Sequence, residues 1–353
     1  MPASSDPRVQ AAVAHWAPRL IANGVDYNDF QRTLARIERW EDWCAEWQKT
    51  AAYHEQLGRE ALSTISAGEA YLRAAICHHF AKFIFFEEGE QLRAASKATV
   101  ENYLKAAPLL DPPAERVLIP YAGRQLPGNL RKPAGVQRPP LVLLLAGLDS
   151  VKEEFSTFEP LFHRRGVATL AFDGPGQGES EFELPIEPAF EKVVTAVVDW
   201  LQGRSDVDAS RVACAGVSLG GYYASRAAAY EQRLLCAVAM GGPYDMAENF
   251  HNTPPQTQQA FQTRSFSPTL EAAYAKAAEL TLKDCARLIR MAFLLVFGKQ
   301  DRLIPYQQAE RLYAEVSSPD KRLEMYPEGN HIANNFPYAY RPLVADWVAE
   351  RLR

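Results

Sequence analysis

Residues 211–223 read RVACAGVSLGGYY: a short apolar run, then Gly216-Val217-Ser218-Leu219-Gly220, then an alanine-rich stretch. A β-strand that must turn at once into a helix leaves little room at the bend. Glycine two residues before and two after Ser218 is what permits so tight a turn. The spacing G-x-S-x-G therefore predicts a strained elbow that lifts the Ser218 hydroxyl clear of a sheet. A glycine-rich turn of this kind also occurs without chemistry, so the rest of the chain has to supply what a reactive serine needs.

The surrounding pattern is a β-α alternation. The run LVLLLA at 141–146 is continuously apolar, as in strands buried on both faces of a parallel sheet. A helix over 153–165, a strand at 167–172, a helix at 188–203, a strand at 211–215 and a helix at 219–230 follow. Strands at 235–240, 291–297 and 322–326 complete the series. The fold class is α/β, a doubly wound, mainly parallel sheet, preceded by an antiparallel hairpin turning at Ala122-Gly123.

Residues 6–107 differ in kind, with Ala, Leu, Glu, Gln and Arg dominant and apolar positions at helical spacing. Asp6-Pro7 is a helix start, and further helices are predicted at 28–37, 41–66, 69–86 and 90–107. Pro112-Pro113 cannot continue a helix. The expected division is an all-α domain over 1–112 and a catalytic domain over 113–353. Within the latter, the polar stretch HNTPPQTQQAFQTRS opens an insertion over 243–288, at the carboxyl edge where open α/β sheets bind ligands.

Composition narrows the partner. A net charge of −5 with no Lys/Arg block argues against nucleic acid and leaves a small molecule. No run approaches the roughly 18 apolar residues of a membrane span and no signal-like stretch opens the chain, so a cytoplasmic protein is expected. Cys44, Cys77, Cys214, Cys236 and Cys285 are odd in number and lack C-x-x-C, indicating neither a disulfide framework nor a zinc site. His78 and His79 point about 100° apart on a helix and cannot form an i, i+4 metal pair. They are read as polar residues at a core margin, and Trp16, Trp40, Trp43 and Trp47 as core or interface. No metal and no cofactor is expected.

A serine hydroxyl needs a base to take its proton, and the base needs an acid to fix its tautomer. Asp301 leaves the strand at 291–297 in Phe297-Gly298-Lys299-Gln300-Asp301, and His331 leaves the strand at 322–326 in Glu328-Gly329-Asn330-His331. Ser218, Asp301 and His331 are the expected catalytic triad. For the oxyanion, the expected donors are the N–H of Leu219, directly after the nucleophile, and of Leu148. The latter lies in the loop Ala146-Gly147-Leu148-Asp149-Ser150, where Gly147 lets backbone approach a substrate. The loop 173–180, DGPGQGES, lacks the Lys-Ser/Thr of a phosphate cradle and is read as a structural turn.

The elbow GVSLGG, the loop FDGPGQGES, the GxxD at 298–301 and the late G-x-H together resemble the α/β-hydrolase fold. AGLDSVKEE, DGPGQGE and WAPRLIANGVDY are similar to the 2,6-dihydroxypseudooxynicotine hydrolase family, over nearly the whole chain. That resemblance implies a hydrolase cleaving a carbon–carbon bond in a β-diketone-like or acylated aromatic ketone, an aromatic or polyketide-like compound. It also implies that the helical domain caps the active site and contributes to a homodimer. An acid after the sixth strand would protonate the leaving carbon, with Glu248 the nearest candidate. Asn252, directly before Thr253-Pro254, competes for that place, and if it holds it, carboxylester or lactone hydrolysis by the same triad is the better reading. A non-catalytic binding protein on this fold is the remaining alternative.

Overall fold

The computed structural model describes residues 4–86 and 89–353. It divides into two compact units, the first comprising Met1–Arg116 and Glu153–Phe158, the second Val117–Lys152 and Glu159–Arg353.

The first unit holds helices α1 (Pro7–Ala22), α2 (Tyr27–Leu34), α3 (Trp43–Glu60), α4 (Thr64–Lys82) and α5 (Gly89–Ala106). Their starts follow local chemistry. Asp6 accepts from the Arg8 N–H at 2.8 Å ahead of Pro7, and Asp26 and Ser63 cap α2 and α4 in the same way. Trp40, Trp43 and Trp47 are buried in a row, with ring centroids 5.3 and 6.0 Å apart. The Trp43 indole N–H donates to Phe80 O at 3.0 Å, which ties α3 to the apolar face of α4.

His79 does not sit at a core margin: it is fully enclosed, with Nε2 3.1 Å from Glu154 Oε2. Arg19 grips the same carboxylate in a fork, Nε to Oε1 at 2.7 Å and Nη2 to Oε2 at 2.8 Å, and Asn23 Nδ2 donates to Oε1 at 2.5 Å. Burial alone would raise the Glu154 pKa, but Arg19 and His79 hold it well below the usual carboxylate range. Glu154 lies within the expected helix over 153–165, which does not form as one piece. A 3-10 turn (Lys152–Thr157) precedes a short α6 (Glu159–His163). The interruption coincides with the side chains that draw Glu154 into the helical unit.

The sheet has strands β1 (Ala114–Tyr121), β2 (Arg124–Arg131), β3 (Leu141–Leu145), β4 (Ala168–Phe172), β5 (Val212–Val217), β6 (Leu234–Met240), β7 (Ala292–Gly298) and β8 (Lys321–Tyr326). Among the described residues their order is β1-β2-β4-β3-β5-β6-β7-β8, antiparallel between β2 and β4 and parallel from β4 to β8. With helices between the strands, this is the α/β-hydrolase fold. β3 and β4 are buried at every position, as two covered faces require, whereas the edge strand β8 carries Lys321, Arg322 and Glu324. The later helices are α7 (Glu191–Gln202), α8 (Leu219–Tyr230), α9 (Pro255–Arg264), α10 (Leu270–Ala277), α11 (Gln307–Glu315) and α12 (Pro337–Arg351). The five cysteines form no disulfide, and all are buried. Among the described residues no helix is long and apolar enough to cross a membrane.

A buried polar chain beneath β4 makes stability depend on acid. His163 Nε2 lies 3.0 Å from Thr169 Oγ1, Thr169 Oγ1 donates to Glu159 Oε1 at 3.2 Å, and Arg131 Nη1 donates to Glu159 Oε2 at 2.8 Å. Burial, with Arg131 and Arg164 nearby, pushes the His163 pKa down from 6.5 to about 3. In that window the unfolded chain takes up a proton that the folded chain refuses. This contribution to stability is therefore complete above the unfolded pKa and falls by up to about 1.4 kcal/mol per pH unit on acidification. Burial raises the Glu159 pKa, which acts in the opposite sense, so the contribution is read as a difference. Urea midpoints of the wild-type chain are expected to fall more steeply with acidification than those of His163→Gln. Parallel slopes would remove His163 as the cause.

Candidate active site

β5 is apolar and leads directly into Ser218, whose φ of 55° and ψ of −123° lie outside the regions an L-residue prefers. Local strain of this kind costs about 1–3 kcal/mol and persists only where the surroundings enforce it. Here they do. A Cβ on Gly216 would stand 1.8 Å from Gly220 O, and one on Gly220 would stand 2.1 Å from Leu145 O. The Ser218 N–H donates to Met240 O and the Gly221 N–H to Ser218 O, both at 2.7 Å, so the turn is pinned on both sides.

Ser218 Oγ lies 2.8 Å from His331 Nε2, and His331 Nδ1 lies 2.7 Å from Asp301 Oδ2. The other carboxylate oxygen of Asp301 accepts from the N–H groups of Leu303 at 2.8 Å and Ile304 at 3.0 Å. The Asp301 side chain is fully buried and that of His331 is 4% exposed, so water competes little for the bonds that orient the ring. The turns after β7 and β8 are fastened to each other: Gln300 N–H donates to Gly329 O at 2.8 Å and Lys299 N–H to Tyr326 O at 2.9 Å. Asn335 holds the histidine turn from behind, accepting from the Asn330 N–H at 2.9 Å and donating to Glu328 O at 2.8 Å. A hydroxyl, an imidazole and a carboxylate joined in this order can move a proton from the first to the second while the third steadies the cation.

The loop after β3 lies against the serine. A Cβ on Gly147 would fall 3.0 Å from Ser218 Cβ and 2.9 Å from Val217 O, a closeness only glycine allows here. Among the described residues the N–H groups of Leu148 and Leu219 enter none of the backbone hydrogen bonds made outside the regular elements. Two side chains that sequence reasoning missed grip this loop. Gln177 Nε2 donates to Ala146 O at 2.5 Å and Gly147 O at 3.2 Å, and Arg264 Nη1 donates to Leu148 O. Arg264 also pairs with Asp149 at 3.1 Å and Glu181 at 3.3 Å. At the end of the loop, buried Lys152 reaches Asp173 and Glu179, each at 2.7 Å.

Glu248 makes no contact with these groups among the described residues. Its carboxylate pairs with Arg311 at 2.9 Å and Lys283 at 3.6 Å, and its side chain is 40% exposed. Asn252 is exposed and donates to Asn249 at 3.3 Å.

Comparison with known proteins adds full-length similarity. Residues 26–353 match the model of the FrsA-like esterase family. The 2,6-dihydropseudooxynicotine hydrolase of Paenarthrobacter nicotinovorans is 33% identical over 359 residues, covering 100% of this chain and 95% of that protein. The crystal structure of the 2,6-dihydroxy-pseudo-oxynicotine hydrolase superposes with a TM-score of 0.88 at 33% identity, covering 95% of each chain. A hydrolyase of Penicillium oxalicum is 34% identical over 230 residues, 60% of this chain and 54% of that one.

Proposed function

This chain is a hydrolase belonging to the FrsA-like esterase family, and from that premise we propose that it cleaves a carbon–carbon bond beside a ketone through Ser218, His331 and Asp301. The observation that carries the reading is the unbroken hydrogen-bonded chain from Ser218 Oγ through His331 to Asp301 at the strained end of β5. The choice of bond follows the full-length similarity to the pseudooxynicotine hydrolase.

In the proposed sequence Ser218 Oγ attacks the ketone carbon as its proton passes to His331 Nε2. The N–H groups of Leu219 and Leu148 receive the oxyanion. Collapse breaks the bond to the neighbouring carbon, whose electron pair is stabilised by a second carbonyl or an electron-rich ring. The leaving carbon takes the proton held on His331, so Glu248 is not required as the acid. Water, deprotonated by His331, then releases the acyl group from Ser218 as a carboxylic acid.

A second reading, ester or lactone hydrolysis by the same groups, is favoured by the ion pairs that engage Glu248 and by the esterase description of the family. Turnover of aromatic 1,3-diketones and of short acyl esters is to be compared on the same preparation. The proposal expects diketone cleavage with kcat/KM at least about tenfold above the esters, a margin of about 1.4 kcal/mol in transition-state binding. Rapid ester cleavage with no diketone cleavage would establish the second reading in its place.

A further inference from the structure

The glycine-rich loop 173–180 makes a turn after β4, and one of its side chains holds the backbone beside Ser218. Three consecutive carbonyls, those of Ala146, Gly147 and Leu148, accept from two side chains, Gln177 and Arg264. Both residues are 2% exposed. They arrive from different places, Gln177 from the loop after β4 and Arg264 from the last turn of α9, in the segment 243–288.

We infer that Gln177 and Arg264 are positioning residues that aim the backbone N–H groups of the loop after β3 at the oxyanion. This rests on the reading that Ser218 attacks a carbonyl and that Leu148 N–H is one of the donors. A trans peptide is planar, with C=O and N–H pointing in opposite directions. Gly147 C=O and Leu148 N–H belong to one peptide, so drawing the carbonyl toward Gln177 turns the N–H the other way. Leu148 C=O and Asp149 N–H belong to the next, and Arg264 fixes that plane. The grip is itself oriented: Gln177 Oε1 accepts from the Gly174 N–H at 3.0 Å, which leaves the amide NH2 facing the loop. Arg264 is held by Asp149 and Glu181 and cannot swing away without breaking its ion pairs to two buried carboxylates.

Oxyanion donors work because their direction is fixed before the charge forms. A loop whose carbonyls were free could rotate its N–H groups out of line at little cost, and its stabilisation of the transition state would fall while substrate still bound.

Gln177→Glu keeps the acceptor used by Gly174 and removes the donor, Gln177→Met keeps the volume, and Arg264→Lys keeps the charge but not the fork. Each is compared with wild type in kcat and KM on whichever of the ester or diketone turns over, with active enzyme counted by serine-directed phosphonate titration. The inhibition constant of a trifluoromethyl ketone, which forms a tetrahedral adduct on the serine, is measured alongside. Expected is a fall in kcat of about 10- to 100-fold with KM within about twofold, and a matching rise in the trifluoromethyl ketone constant. Should the Gln177 variants fail to fold, Arg264→Lys, on a separate element, carries the same test. Wild-type kcat in folded variants, or a loss of kcat with unchanged trifluoromethyl ketone affinity, would overturn the inference. Ser218→Ala in the same assay separates the layers. If it retains turnover, the underlying reading fails; if it is inactive while the Gln177 and Arg264 variants behave as wild type, only the positioning role fails.

Discussion

Ser218→Ala is expected to lower kcat by about 10⁴- to 10⁶-fold, the scale on which removing the nucleophile of a triad acts. The loss has one cause. Without Oγ there is no atom for His331 Nε2 to deprotonate, and water would have to attack from a place the elbow does not provide. The backbone gives no second explanation, since alanine at φ 55° inherits the same strain as serine and the glycines that enforce the turn remain. The unfolding temperature should therefore stay within a few degrees of wild type, a shift corresponding to about 1 kcal/mol for one lost hydrogen bond. A serine-directed phosphonate should add its mass to the wild-type chain and not to the variant. Full turnover by the variant, or labelling elsewhere, would remove Ser218 from the reaction.

Asp301→Asn is expected to lower kcat by about 10⁴-fold while leaving the geometry nearly intact. The argument comes from what each carboxylate oxygen touches. One accepts from two backbone N–H groups, Leu303 and Ile304, and only the carbonyl oxygen of an asparagine can take that place. The NH2 must then face His331 Nδ1, where it donates and obliges Nδ1 to accept. The ring proton moves to Nε2, the atom that has to receive the proton of Ser218. Catalysis would thus be lost to a tautomer, not to unfolding. The check is kcat beside the unfolding temperature; a kcat within tenfold of wild type would show that Asp301 does not set the ring.

These residues were legible in the sequence because each lies at a strand exit marked by glycine: Gly216 and Gly220 around Ser218, Gly298 before Asp301, Gly329 before His331. Buried strands such as β3 and β4 were legible for a similar local reason, their unbroken apolar runs. What stayed hidden depended on which loops meet. Gln177 and the loop after β3 are neighbours because β4 pairs with β3, a fact that sequence order does not state. Arg264 comes from 116 positions away from the carbonyl it serves. The cations that engage Glu248 lie at 283 and 311, so nothing local to the candidate acid at 248 announced its ion pairs. The periodicity of 153–165 suggested a single helix because nothing nearby announced that Glu154 would be claimed by Arg19, 135 positions earlier.

That claim bears on how the chain is made. The helical unit comes first in sequence but includes residues 153–158, which are synthesised after the first three strands. With translation at roughly 5–20 residues per second, the five helices leave the ribosome several seconds before the carboxylate that Arg19, Asn23 and His79 enclose. Until it arrives, Arg19 and His79 lack the carboxylate they share in the folded chain. The amino-terminal helical unit of this protein is therefore the part that must wait, and a nascent chain arrested just beyond residue 116 would hold its helices without Glu154.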